Sequence, residues 1–379
     1  MKILMTADTV GGVWTYALDL CAGLAEANVE VVLAAMGPSL RPGQREEACS
    51  LSNVHLEFRP YALEWMADPW NDVDASGQWL LALAEEHGVD LVHANTYAHG
   101  SLPFGLPTLV VGHSCVFSWY QAVHGEAPPS QFERYHGRVR DGLRAADHVV
   151  APSRAMMGAL IDHYGPMGEH QAILNGRRLQ AFVPRRKQPF ILSSGRLWDE
   201  GKNVETLARA ASRIAWPVCV AGEARPPEGK ARALHAVTPL GHLSPSRLAG
   251  FMSRASIYAL PARYEPFGLS VLEAAAAGCA LVLGDIPSLR EVWGDAAHYV
   301  PPDDVEALTS VLDDLMTNQR DREEYARRAR RRALTLDERR MARAYLSVYA
   351  ELRRATHDED ARERRANDDP SPTLECPEG

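Results

Sequence analysis

The stretch RYEPFGLSVLEAAAAG, residues 263–278, sets two carboxylates, Glu265 and Glu273, on either side of a Pro-Phe-Gly break that runs into alanines. Such carboxylates can accept hydrogen bonds from hydroxyl groups or share acid and base work; the alternative is a loop charge and a solvated helix residue. Upstream, Arg196 and Lys202 bracket GRLWDEGKN at 195–203, directly after the apolar run PFILSSG. Two cations on a glycine-bearing loop suit a diphosphate, although two solvated surface charges would look the same. The lysines are Lys2, Lys187, Lys202 and Lys230, arginine being the usual cation, so a lysine at 202 points to a compact charge. Near the start, KILMTA passes through DTVGGV into a helical pattern, and Gly11 and Gly12 leave helix amides open to a ligand. Taken alone that pair is an ordinary tight turn.

Several chemistries fail on spacing. G-x-G-x-x-G is absent, which removes the main support for a dinucleotide-dependent dehydrogenase. Five residues separate Gly195 from Gly201 where a P-loop has four, and Asn203 stands where Ser or Thr would meet magnesium. A glycoside hydrolase needs its two carboxylates across a sugar-binding groove, a different setting from a turn of phosphate-binding type. The DVD at 72–74 falls near a helix start, where capping is its expected role, so no metal is assigned. The six cysteines are scattered without a C-x-x-C pair, which points to a reducing cytoplasm. A net charge of -9 argues against nucleic acid as a partner. No apolar run approaches the roughly 20 residues that span a bilayer, so any membrane contact is expected to be peripheral, at the inner face.

The elements that must position these residues follow from hydropathy. With 379 residues, 46% hydrophobic and 23% charged, the chain suits two large globular domains. Short Val/Ile/Leu-rich runs alternate with helical patterns, which predicts an α/β fold of two Rossmann-like, doubly wound units. In the first half the strands are KILMTA, VEVVLAAM, VHLEF, DLVHA, PTLVVGH, HVVAPS and QAILN; in the second, PFILSSG, WPVCVAG, ASIYALP, CALVLGD and AHYVPP. Periodicity fails at 175–189, so the expected domains are 1–177 and 178–340, with a helix at 341–356 packing back on the first domain and a disordered tail at 357–379.

Together the pieces resemble retaining glycosyltransferases of family four, with E-x7-E at Glu265 and Glu273 supported in order by GRLWDEGKN, VAGE, PLGHLSP and GDIPSLREV. On the N-terminal side GGVWTYALDL, DLVHAN, VVGHS and ADHVVAPS match as well, so the resemblance covers residues 2–345. It implies the GT-B fold, two domains facing across a cleft, and transfer of a sugar from a nucleoside-diphosphate sugar to a hydroxyl of a sugar, lipid-linked or small-molecule acceptor. No cofactor or metal is implied. Glu273 would accept from a ribose diol and Glu265 would reach the donor sugar. The amides of Phe267, Gly268 and Leu269, together with Arg196 and Lys202, would hold the diphosphate, and Gly12 would approach the donor across the cleft. His113 matches the histidine near the reacting carbon, and Glu265, Arg196 and Lys202 complete the expected catalytic set. His93 reads as a core histidine.

The acceptor is expected to meet the N-terminal domain. If Val13, Ala17, Leu20 and Leu24 form the buried stripe of the first helix, Trp14 turns to the cleft mouth; Trp119 and Tyr120 follow His113 closely. These three aromatics are candidate acceptor contacts, with ordinary packing as the alternative. Arg134, Arg138, Arg140 and Arg144 do not form one clean stripe, and a solvated helix is the expected reading there. A nucleotide-sugar epimerase and a non-catalytic donor-binding subunit share the architecture and stay open.

Overall fold

The computed structural model describes residues 1–223 and 235–368, with side chains as far as residue 355. The first sheet contains β1 (Lys2–Asp8), β2 (Glu30–Met36), β3 (Val54–Arg59), β4 (Leu91–Ala94), β5 (Thr108–Val111), β6 (His148–Ala151) and β7 (Glu169–Ala172), in spatial order β3-β2-β1-β4-β5-β6-β7. The second contains β8 (Gln188–Ser194), β9 (Val218–Ala221), β10 (Thr238–Gly241), β11 (Ala255–Leu260), β12 (Ala280–Gly284) and β13 (His298–Val300), in order β10-β9-β8-β11-β12-β13. Every pairing in both sheets is parallel. Strand order reverses beside β1 and beside β8, and such switch points open a crevice at the carboxyl ends of the strands. The Gly11-Gly12 turn follows β1, and the loop of Arg196 and Lys202 follows β8.

Two expectations change at the sheet edges. β10 escaped the sequence pattern because TPLG is short, lies at an edge, and contains a Pro, which an edge strand tolerates. QAILN is displaced: β7 is the polar segment EHQA at an edge of the first sheet, where solvent on one side removes the apolar signature. The last helix, Glu338–Asp368, also runs through 357–368, where disorder was expected; the rest of that tail lies outside the described residues.

That last helix packs on the first helix, Gly12–Ala25, placing Met341, Tyr345 and Tyr349 in the core of the first lobe. At Gly23 an added Cβ would come within 2.7 Å of Ala342 Cβ and of the Glu338 carbonyl, so the two helices touch there without room for a side chain. The first helix is thus covered by β1 and β2 on one side and by the last helix on the other. Trp14 is 2% exposed and belongs to the core of the first lobe, with Nε1 donating to Glu47 at 3.2 Å. A helix enclosed on two sides has no polar face, so the single-stripe expectation that sent Trp14 to the cleft fails.

Candidate active site

The loop after β8 is built around Asp199 and Asn203. Asp199 accepts from Gly201 N, Arg196 Nη2 and Trp119 Nε1, each at 2.9 Å. Burial alone would raise its pKa, yet Arg196, Lys202 and these donors hold it below the usual carboxylate range. Asn203 sits in the left-handed region at φ 53°, and its Nδ2 donates to the carbonyls of Pro261 and Pro302 at 3.0 and 2.6 Å. An amide that tolerates this conformation and donates twice explains Asn where a P-loop has a hydroxyl.

The Glu265 loop is tied to the same turn. Arg263 N and Tyr264 N both donate to Gly201 O, at 2.9 and 3.1 Å, and Ser288 Oγ donates to Glu265 O at 2.6 Å. Lys202 Nζ is ion-paired with Glu265 Oε2, so the expected diphosphate cation and the expected sugar carboxylate meet directly. Pro266 and Phe267 lead to Gly268, at φ 92°, and the helix Leu269–Ala276 begins there without a side-chain cap on its first-turn amides. Its alanines pack against β12 and also against Ala329 and Ala333 of the helix Gln319–Ala333, whose Arg330 Nε donates to Ala276 O at 3.2 Å. Glu273, on this helix, is 8% exposed and bonded through Oε1 to Arg177 Nε at 2.8 Å.

The first lobe faces this set across the switch point. A Cβ on Gly11 would lie 3.7 Å from Arg196 Nη1, and one on Gly12 would lie 3.4 Å from Leu269 Cδ1, so the glycine turn sits against both the cation and the helix start. His113 Nε2 is 2.8 Å from Asn95 Oδ1. Asn95 Nδ2 donates to Thr6 O at 2.6 Å, which fixes the amide and makes Nε2 the protonated nitrogen of His113. Burial pushes His113 down to about 3, so near neutrality it is an uncharged imidazole with Nδ1 as acceptor. His93 is fully buried between Tyr349 and Tyr16, the expected core role.

Asp8, at the end of β1, was not singled out by its sequence context. Its Oδ1 is buried without a partner among the described residues, and burial, aided by the charge of Glu64, pushes its pKa up to about 7 against the opposing pull of Trp65 and Arg196. Glu64 accepts from Tyr97 N and Ala98 N, both at 3.0 Å.

Further contacts join the lobes. Tyr264 Oη meets Ser118 Oγ at 2.8 Å, Ser153 Oγ donates to Pro266 O at 2.8 Å, and the Glu291 carboxylate accepts from Arg154 N and Ala155 N at 2.9 and 3.0 Å. Trp119 and Tyr120, on the helix Val116–His124, stack edge to face at 5.2 Å, and both are half-buried beside the cleft. The structure therefore gathers Gly12, Arg196, Lys202, Glu265, Gly268 and Leu269, leaves Glu273 facing Arg177, and removes Trp14.

Comparison with known proteins places this arrangement. Residues 10–180 match the family described as Glycosyltransferase Family 4, and residues 178–332 match Glycosyl transferases group 1. The chain belongs to the family 4 glycosyltransferases. It is 28% identical to a glycogen synthase of Mycobacterium tuberculosis over 93% of this chain and 95% of that one. Among solved structures, sucrose-phosphate synthase from Thermosynechococcus elongatus superposes with a TM-score of 0.77 at 19% identity, covering 94% of this chain and all of that one (100%). Anabaena HepE in complex with UDP-glucose gives 0.73 at 16% identity, covering 93% and 100%. The fold of this family 4 chain is GT-B.

For a family 4 member the DVD segment has structural work: Asp72 Oδ2 accepts from Ala62 N at 2.7 Å instead of capping its own helix, and Asp74 pairs with Arg138 at 2.8 Å. Arg134 and Arg138 also lie over the Trp70 ring, at 5.1 and 5.6 Å. Among the described residues, His55, Glu57 and His87 form a grouping with metal-ligand chemistry, at the end of the first sheet opposite the cleft. No helix among them is long and apolar enough to cross a membrane.

Proposed function

We propose that the chain is a retaining hexosyltransferase that moves a sugar from a nucleoside-diphosphate sugar to a hydroxyl acceptor without a divalent ion. The observation that carries this reading is the meeting of Arg196 and the start of the Leu269–Ala276 helix at the Gly11-Gly12 turn, with Lys202 on the same loop as Arg196 and paired to Glu265, since two cations and helix-start amides can take up the charge of a departing diphosphate. In this reading the donor phosphate parts Lys202 from Glu265, leaving the carboxylate for donor-sugar hydroxyls and the ammonium for the diphosphate. The acceptor enters from the first lobe beside neutral His113, whose Nδ1 accepts a sugar hydroxyl, with Trp119 and Tyr120 at its rim. The acceptor oxygen bonds to the anomeric carbon on the face from which the diphosphate leaves, the bond from that carbon to the phosphate oxygen breaks, and the acceptor proton passes to a phosphate oxygen of the departing diphosphate. Glu273 accepts from the ribose.

UDP-glucose, the ligand seen in HepE, and an α-glucan, suggested by the glycogen synthase similarity, are the first pair to try. The test is incubation with UDP-, GDP- and ADP-sugars in the presence of EDTA, with the anomeric configuration of product read by NMR. Transfer with retained configuration is expected. Saturable binding with no transfer or hydrolysis would support a non-catalytic subunit, and an altered sugar without acceptor product would support an epimerase. The stabilising nucleotide should show itself by thermal shift, since ligand at a hundred times its dissociation constant adds about 2.7 kcal/mol.

A further inference from the structure

Arg177 stands where the chain passes between the lobes. Its backbone N donates to Leu336 O at 3.1 Å, and it forms a parallel bridge with Asp337, so the outward and returning passages touch at this residue. A Cβ on the preceding Gly176 would lie 2.1 Å from Asp337 O, which leaves room for glycine alone. The backbone under Arg177 is held on both sides.

Its side chain reads both lobes. Nη1 lies 2.8 and 3.0 Å from the two oxygens of Asp19, on the first helix, while Nε lies 2.8 Å from Glu273 Oε1 in the second lobe. Arg178 Nε adds a bond to Asp19 at 2.7 Å. Asp19 is fully buried and the Arg177 side chain is 14% exposed. Two guanidinium groups thus face two carboxylates in a closed set, and removing one member leaves a buried charge without its partner.

We infer that Arg177 is a positioning residue for the donor: it holds Glu273 as a carboxylate and occupies Oε1, so that Oε2 is presented to the pentose hydroxyls, while Asp19 holds Arg177. The inference rests on Glu273 being a donor ligand, as proposed above. An ionised carboxylate accepts from both hydroxyls of a diol, whereas a carboxylic acid keeps one oxygen as a donor. The groups that face Glu273 are Arg177 from the linker and Asp19 from the first helix. Burial and the Asp19 charge push Glu273 up, and Arg177 opposes them. Without Arg177 the two remaining influences act in the same direction and favour the protonated, poorer ligand. The loss is then greatest at low pH and shrinks as pH rises.

The experiment measures dissociation constants of UDP, GDP and ADP by calorimetry between pH 6 and pH 9, each variant as a ratio to the unaltered protein, which cancels ionisation of the nucleotide itself. For the tightest of the three, Arg177→Met should weaken binding about tenfold at pH 6, a factor equal to one pKa unit, and recover most of it by pH 9. Arg177→Lys should keep the ratio flat with pH. The double variant Asp19→Asn/Arg177→Met, which removes one anion and one cation together, guards against misfolding of the single one and should show a slope of the same sign but shallower, because burial then acts on Glu273 without the Asp19 charge. A ratio independent of pH in both methionine variants overturns the inference. Glu273→Gln separates the two readings: weaker binding at every pH is expected, and unchanged binding would overturn the donor-ligand role of Glu273 itself.

Discussion

Trp119 Nε1 donates to Asp199 Oδ1 at 2.9 Å, so a side chain of the first lobe holds the loop of the second lobe that carries Arg196 and Lys202. The same Asp199 binds Arg196, so the contact ties the first lobe to Arg196, the cation proposed for the diphosphate. Trp119→Phe keeps an aromatic ring, smaller than the indole, and removes the N–H. It should raise the share of donor lost to water relative to transfer, because a cleft that opens more readily admits solvent. The measurement is free sugar against glycosylated acceptor in one reaction; an unchanged ratio would separate this bond from closure.

Lys202 and Arg196 are expected to act on the leaving group. Either one changed to alanine should lower turnover by roughly a hundredfold, the scale seen when a preorganised donor to developing negative charge is lost. Initial rates at saturating donor check this, and near-normal turnover in both variants would contradict it.

Asp8 supplies a pH signature. Its folded pKa, about 7, lies above its ordinary value of 3.8, so the stability it contributes is full below about pH 4 and is lost as pH rises towards 7. Asp8→Asn removes that decline. The variant should be more stable than the parent at pH 7.5, by up to about 4 kcal/mol at roughly 1.4 kcal/mol per pKa unit, and equal to it near pH 4. Urea unfolding at the two pH values decides it, and a difference of the same size at both would show that ionisation is not the cause.

Gly222 tests the support under the donor loop. It has φ 138°, and an added Cβ would lie 1.8 Å from Gly195 O, the carbonyl next to Arg196. Gly222→Ala should destabilise the fold by about 1–3 kcal/mol, the scale of a strained backbone position. It should also lower nucleotide affinity. Unfolding midpoints and nucleotide binding report the two effects, and unchanged values for both would mean the loop can move away.

How far the site could be read beforehand depends on how each residue is held. Arg196, Lys202, Glu265 and Gly12 were legible because their neighbours in the chain, a preceding strand and a glycine turn, already define a loop at a sheet end. Asp19, Arg177 and Asp8 carried no such signal. Asp19 is one acid within an otherwise apolar helix, and Arg177 is one of several arginines in a linker; 158 positions separate them, and only folding makes them partners. Trp14 failed for a related reason, since its burial depends on contacts outside its own helix, among them Glu47, 33 positions along the chain, which periodicity in one segment cannot register.

Sequence alone determined the alternation of parallel strands and helices, the two-lobed architecture and the order of the loops with anion-binding chemistry, because these follow from local hydropathy and from short-range steric rules at Gly and Pro. Tertiary structure decided which charges neutralise one another, Lys202 with Glu265 and Arg177 with Glu273 and Asp19, and which groups are buried far enough to change their protonation, as at Asp8 and His113. Coulomb interaction and desolvation depend on distance through space and on the surrounding medium, and neither quantity is written in the spacing of residues along the chain.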